Sequence, residues 1–378
     1  MEYTWRHSVL ADRHRALGSK LEDWSGMGTA WTYAKDMADE HEAIRTKAGL
    51  MDVSGLKKVH VVGPHALAVV NYATTRDVTK IYPGKSAYAC MLNDRGMFTD
   101  DCILYRTGPN SWMVVHGSGS GSEELQRQAG GGRNVAILFD DDLHDLSLQG
   151  PIAVDFLEKY VPGIRQLPYF HHMQTKLFGY PVMISRTGYT GERGYEIFCK
   201  AENAGAIWDT ILGEGKPMGI VPCAFTVLDW LRVESYLLFY PYDNSEMYPF
   251  GNEPAGDSLW ELGLDFTVSP GKTGFRGAVE HARLKGKERF KIYGLLVDGK
   301  TPPDAGAAIT QGGKKVGVVT CSMHSRLVGK TMAIVRVAPN IATPGTKLEV
   351  EVGSTTVGAE AQPLPFDDPK KTKRSAVG

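Results

Sequence analysis

The chain has 378 residues, 42% hydrophobic and 22% charged, the balance of an ordinary globular protein with about two or three domains. Lysine and arginine number 42 against 43 acids, a formal net charge of −1, which gives no electrostatic case for nucleic acid or an anionic membrane as partner. Five cysteines without a C-x-x-C pair suggest neither a disulfide framework nor a zinc site; Met1 to His7 carries no signal-peptide core and no run of about 18 apolar residues appears, so a cytoplasmic protein is expected.

The first 34 residues carry Leu10, Leu17, Leu21, Trp24, Trp31 and Tyr33. Asp39 to Leu50 predicts a helix, with acids early, Arg45 and Lys47 late, and Gly49 to end it. Lys58 to Pro64 predicts a strand and a Gly-Pro step, followed by a helix over His65–Tyr72. The same order recurs at His144–Pro151 and Ile152–Tyr160. It reads as a weak internal repeat of two α+β units, with chance as the rival because the arrangement is common.

Between the copies, Ser86–Tyr105 reads as two strands around an Asn-Asp-Arg-Gly turn, and Trp112–His116 as a third. The strands form an antiparallel meander. Asp100 and Asp101 are neighbours on a strand, so their side chains are expected on opposite faces, with at most one at a given site.

Strand formers Val182, Ile184, Tyr195, Ile197 and Phe198 flank Arg186–Gly194, which holds three glycines. This predicts a hairpin whose backbone turns tightly or passes close to something. The loop presents Tyr189, Glu192 and Glu196. A carboxylate beside an aromatic suits a flat, nitrogen-rich ring, which stacks on the tyrosine and gives the carboxylate two parallel N–H bonds. The plain alternative is a glycine-rich hairpin with a solvated glutamate.

Glu202–Leu212 and the more apolar Pro222–Leu238 predict helices, the second with Asp229, Arg232 and Glu234 embedded. Pro254–Lys272, rich in Gly and Pro, reads as loop or linker. From Phe290 short strands with Gly turns predict an all-β C-terminal domain, and Asp367–Gly378 reads as a solvated tail. His171 and His172 point apart on a strand with no third ligand, so no metal is expected. Gly117–Ser122 lacks the lysine of a phosphate-binding loop.

The Gly188–Ile197 stretch resembles the G-Y-T-G-E-x-G-[FY]-E-I signature of the aminomethyltransferase (glycine-cleavage T-protein) family, whose members pass one-carbon units to tetrahydrofolate. Glu40, Ala43, Arg45, Gly49, Asp52, Val53 and Ser54 match a second pattern of that family, and the similarity follows nearly the whole chain in order. The resemblance implies an α+β fold: two interleaved, ferredoxin-like α+β units plus a C-terminal β-barrel domain around a central folate channel. It implies a first unit from residues 1–52 with 147–255, a second from 53–146, a linker over 256–288, the β domain over 289–366 and the tail over 367–378. By the same resemblance Glu196 holds the pterin ring of tetrahydrofolate, Tyr189 and Tyr88 line its site, and Asp101 is the catalytic acid. Asp101 holds the folate nitrogen in position and stabilises positive charge as the carbon moves.

Four departures from the family pattern stand out. Leu21–Trp31 replaces F-x-G-W-x-M-P-x-x-Y, and His116 stands where V-V-N has asparagine. Leu228 replaces the first arginine of A-R-D-x-x-R-L-E-A-G, in which Asp229, Arg232 and Glu234 survive; Arg232 is taken as a further folate-site residue. The Gly117–Ser122 run replaces a more ordinary segment. Since the folate-gripping hairpin is kept, the acceptor is expected to be the same and the donor different. The chain resembles the folate-dependent demethylases of the superfamily, which act on small methylated or methoxylated compounds, including a sulfonium substrate and lignin-type aromatic ethers. His116 is a candidate acid or base on the donor side, with Trp24 and Trp31 as donor contacts. The rivals are a true aminomethyltransferase, which needs a lipoyl carrier protein as partner, a non-catalytic folate-binding protein, and a detached module of a flavin-dependent demethylating oxidase.

Overall fold

The computed structural model describes residues 5–251 and 254–376. The first four residues of the N-terminal stretch and the last two of the predicted tail lie outside them. Two large sheets, a barrel and a small three-stranded sheet of Arg6–His7, Met27–Thr29 and Glu22–Trp24 make up the architecture. The six-stranded sheet runs in the order His172–Leu177, Tyr180–Ser185, Gly194–Lys200, Leu143–Gln149, Ala48–Asp52, Ile220–Pro222, antiparallel except for the last pair. The five-stranded sheet runs Ser86–Leu92, Phe98–Gly108, Ser111–His116, Lys57–Val62, Ala136–Phe139, and is antiparallel as the meander predicts. Six strands between Lys291 and Gln362 close the C-terminal barrel. The fold is therefore the expected mixed α/β arrangement with a C-terminal barrel.

Alternation explains the packing. Leu146, Leu148, Tyr195 and Ile197 turn to one face and bury with Trp208 and Ile211 of helix Ala201–Gly215. On the other face Phe198 and Met183 meet Tyr105, Met113 and Val115 of the second sheet, so the two sheets pack against each other. The chain leaves the first sheet after Asp52 and returns at Leu143, not 147, because the whole strand Leu143–Gln149 pairs there. Both Gly-Pro steps share one backbone form: Gly63 has φ +137° and Gly150 +134°, each pressed against a crossing chain.

Three local expectations change. The helix expected over Asp39–Leu50 is Met37–Thr46, capped by Asp36, and Ala48–Asp52 is a strand. Gly49 is not its cap; a Cβ there would lie 2.4 Å from Cys223 Sγ. The helix expected over Pro222–Leu238 is only Val227–Ser235, ended by Tyr236 at φ +42°. The expected linker is packed: Ser258 and Glu261 form a capping box on helix Leu259–Leu262, and Leu259, Leu262 and Phe275 bury with Leu92 and Phe98. Its Gly and Pro content hid a Ser-x-x-Glu start signal.

Candidate active site

A cavity of about 890 Å³ lies between the sheets, walled on its third side by helix Val227–Ser235 and the stretch to Tyr240. That volume and its largely apolar, aromatic wall suit a small organic ligand. Glu196 is on its floor. Tyr195 and Ile197 point into the first core, so the pleat turns Glu196 toward the second sheet. Its carboxylate accepts from Tyr105 Oη at 3.1 Å and from Thr187 Oγ1. Burial pushes its pKa up, and the two hydroxyls oppose that shift. Tyr105 and Thr187 were not read from the sequence; strand alternation could have flagged Tyr105 as facing the same side as Ile103.

The glycines of the hairpin loop serve packing. A Cβ at Gly188 or Gly194 would sit 2.1 or 2.0 Å from Gln149 Oε1, and one at Gly191 2.0 Å from Ser235 Oγ. Arg45 then fastens the loop, donating to Thr190 O at 2.7 Å, Glu192 Oε1 at 3.0 Å and Glu234 Oε2 at 2.7 Å. Glu192 therefore faces Arg45 and not a ligand. Tyr189 presents only its ring, because its hydroxyl donates to Leu237 O at 2.8 Å and Leu238 O at 2.6 Å. Arg232 reaches the wall already paired, with Asp229 at 2.8 Å and Asp243 at 2.7 Å. Its charge ties helix to barrel through Asp243, which accepts from Thr320 Oγ1 at 2.7 Å, so it is no free cation for a ligand.

Asp101 borders the cavity with its Oδ2 accepting from Tyr88 Oη at 2.7 Å. Enclosure by protein, then the charge of Asp100, pushes its pKa up to about 7, with the Tyr88 hydroxyl opposing. Asp100 borders the cavity too, against the expectation of opposite faces. A register shift opposite Met91–Leu92 breaks the pleat beside it. Asp100 Oδ2 accepts from Gly121 N at 2.8 Å and lies 2.8 Å from His116 Nδ1, while His116 Nε2 lies 2.8 Å from Ser122 Oγ. The His116 ring is part of the wall: Nε2 is bonded to Ser122, while Nδ1 lies beside the Asp100 carboxylate without a hydrogen bond of its own. Trp24 lines the cavity; Trp31 does not, and instead stacks on Phe225 at 4.8 Å from behind. His171 and His172 bond Tyr82 and Ser86, at 2.7 and 2.9 Å. Among the described residues no cluster of His, Cys, Asp and Glu could hold a metal ion, and no helix is long and apolar enough to cross a membrane.

The predicted solvated tail is instead folded over the cavity. Arg186 donates to Leu167 O at 3.0 Å, Arg374 O at 3.2 Å and Ala376 O, and Asp368 accepts from Thr372 N at 2.7 Å at the start of a short helix Thr372–Ser375. Pro369, Lys371 and Arg374 border the cavity as a result. Local composition could not show this, since the tail acceptors for Arg186 lie 188 and 190 residues away. Deleting residues 367–378 is expected to raise the dissociation rate of a cavity ligand about tenfold, the loss of roughly 1.4 kcal/mol of closure. Stopped-flow release measures it; an unchanged rate would show the tail to be no part of the enclosure.

Comparison with known proteins agrees with this fold. Residues 10–272 match the GCVT N-terminal domain and 291–368 the glycine cleavage T-protein C-terminal barrel domain. The chain is 69% identical, over 378 residues and the full length of both, to a heme-dependent oxidative N-demethylase gamma subunit of Ectopseudomonas mendocina (strain ymp). It is 30% identical to an aminomethyltransferase of Streptomyces coelicolor over 96% of this chain and 97% of that one. The solved structure of glycine cleavage system aminomethyltransferase T from Bartonella henselae superposes with a TM-score of 0.86 at 26% identity, covering 96% of this chain and 98% of that chain.

Proposed function

The chain belongs to the glycine-cleavage T-protein family, and on that premise we propose that it takes the one-carbon unit released by oxidative N-demethylation and passes it to tetrahydrofolate held in the central cavity. The observation that carries this reading is Glu196, a buried carboxylate on the cavity floor whose protein donors are two hydroxyls. It has lone pairs left for the paired N–H groups of a flat ring. Tetrahydrofolate fits that donor set, and when bound it supplies the nitrogens N5 and N10 that take up a formaldehyde carbon, both N–H protons and the carbonyl oxygen leaving as water.

The residues divide the work. Glu196, steadied by Tyr105 and Thr187, holds the ring from the first sheet. Asp101 comes from the second sheet, oriented by Tyr88. Its carboxylate stabilises positive charge as the carbon moves, and its raised pKa lets it take or return a proton near neutral pH. Enclosure between sheets supplies proximity, since donor carbon and acceptor nitrogen must come within roughly 3–3.5 Å.

Identity of 69% to an N-demethylase subunit, against 30% to an aminomethyltransferase, supports demethylation as the source of the carbon. It narrows the donor from methylated or methoxylated compounds to N-methyl compounds, whose oxidative demethylation yields formaldehyde. It also implies partner subunits, where the sequence suggested a protein partner only under the rival readings. The wall residues here do not fit a heme ligand: the buried His116 ring is held between Asp100 and Ser122, 2.8 Å from each, and burial holds the Cys102 thiol well above its usual range. The heme chemistry belongs on a partner subunit.

Calorimetry with tetrahydrofolate, followed by formaldehyde and detection of 5,10-methylene-tetrahydrofolate above the uncatalysed rate, tests the reading. Micromolar binding and acceleration are expected; no binding would overturn it. Turnover only with a lipoylated carrier protein would decide for the aminomethyltransferase.

A further inference from the structure

The four departures from the T-protein pattern come together in space. Trp24, from the Leu21–Trp31 segment, packs in one cluster with Leu228 and Phe225, and all three border the cavity. His116 and the glycine-serine run stand beside them on the wall. Ser25 and Ser118, 93 residues apart, join by a hydroxyl–hydroxyl hydrogen bond of 2.9 Å. Ser118 is exposed and also borders the cavity, so it stands at the cavity's rim.

The run is seated, not loose. A Cβ at Gly119 would lie 2.4 Å from Asp100 Cγ, and one at Gly121 2.9 Å from both Asp100 Oδ2 and His116 Nδ1. Bare backbone is needed for the loop to close over the buried Asp100–His116 pair, and that fixes Ser118 opposite Ser25. The cavity lining contributed by Trp24, Val53, Leu56, Phe225 and Leu228 is mostly carbon, with the buried Trp24 Nε1 left without a hydrogen-bond partner. The ionisable groups on this part of the wall are Asp100, Asp101 and His116, so it offers no free cation for a carboxylate-bearing donor. The tail closes the cavity with other elements, around Phe266, Lys371 and Arg374.

We propose that this rim is the inlet for a small uncharged carbonyl compound, formaldehyde or its hydrate, with the Ser25–Ser118 pair as its latch and Ser118 as the residue that sets its size. The inlet rests on the one-carbon reading above, and gives it a direction: the ring enters under the tail, and the carbon enters past Trp24 to meet it at Asp101. A hydroxyl pair suits such a latch, because each side chain can rotate to solvent at little cost.

The test uses the full chain and formaldehyde itself. Ser118→Trp is expected to lower kcat/KM for formaldehyde about tenfold while the tetrahydrofolate dissociation constant stays within about twofold, since only passage is obstructed. Ser118→Cys gives a second route that does not depend on folding around tryptophan. It is labelled after folding with methanethiosulfonates of growing size, and the native cysteines are buried or half-buried. The rate should fall stepwise with label size, relative to the same protein unlabelled. Formaldehyde turnover indifferent to both the tryptophan and the bulkiest label overturns the inlet and leaves the folate reading standing. A wild-type chain that binds no tetrahydrofolate overturns both, and is seen before any Ser118 variant is made.

Discussion

Replacing Glu196 by glutamine is expected to raise the tetrahydrofolate dissociation constant at least about 100-fold while leaving the protein folded. Each hydrogen bond to a charged group is worth about 1.5–3 kcal/mol, and 1.4 kcal/mol is a factor of ten, so losing the charge and turning one N–H acceptor into a donor exceeds two decades. The fold should tolerate the change, because Tyr105 and Thr187 can still donate to the amide oxygen. Removing the charge also relieves a burial penalty. The folded carboxyl has a raised pKa, so its contribution to stability is complete at low pH and is lost as pH rises through that value. Folate affinity should run the opposite way in the wild type, falling as pH drops through the raised pKa, and should be flat in the variant. Calorimetry across pH gives both. Micromolar binding by Glu196→Gln would remove the ring site from this residue.

Asp101→Asn separates binding from transfer. Loss of a preorganised charge at a reacting centre costs about 10²–10³ in kcat, and the ring contact at Glu196 is untouched, so the dissociation constant should hold within a few-fold. With a folded pKa of about 7 against the ordinary 3.8, the folded chain holds a proton that the unfolded chain has lost over that interval. Wild-type stability therefore declines as pH rises from about 4 to about 7 and then levels. Asparagine has no such proton, so the variant should gain in melting temperature relative to wild type over that window and keep the gain above it. Wild-type kcat should climb through about pH 7 as the carboxylate forms, a limb absent from the residual activity of the variant. A variant as fast as wild type, or a stability gap that does not open, would show that Asp101 is neither catalytic nor strained.

What the sequence determined was local and periodic. Strand alternation around the glycine loop put Tyr195 and Ile197 in one core and so turned Glu196 to the other face. The meander put Tyr88 and Asp101 on paired strands, and short Gly-punctuated strands specified the barrel. The departures at Trp24, His116, Gly117–Ser122 and Leu228 were also legible, but not that they would meet.

Tertiary structure decided which of these side chains were free. Glu192 and Arg232 look like ligand groups in the sequence, yet Arg45, 147 residues from Glu192, and Asp243 answer their charges. Tyr189 gives its hydroxyl to Leu237 and Leu238, Trp31 stands behind Phe225, and the polar tail is drawn over the cavity by Arg186. The reason is common to all of them. Backbone periodicity tells which face a side chain takes, but a buried charge or hydroxyl must find its partner wherever the fold brings one, whether 11 residues away, as for Arg232, or 188, as for Arg186.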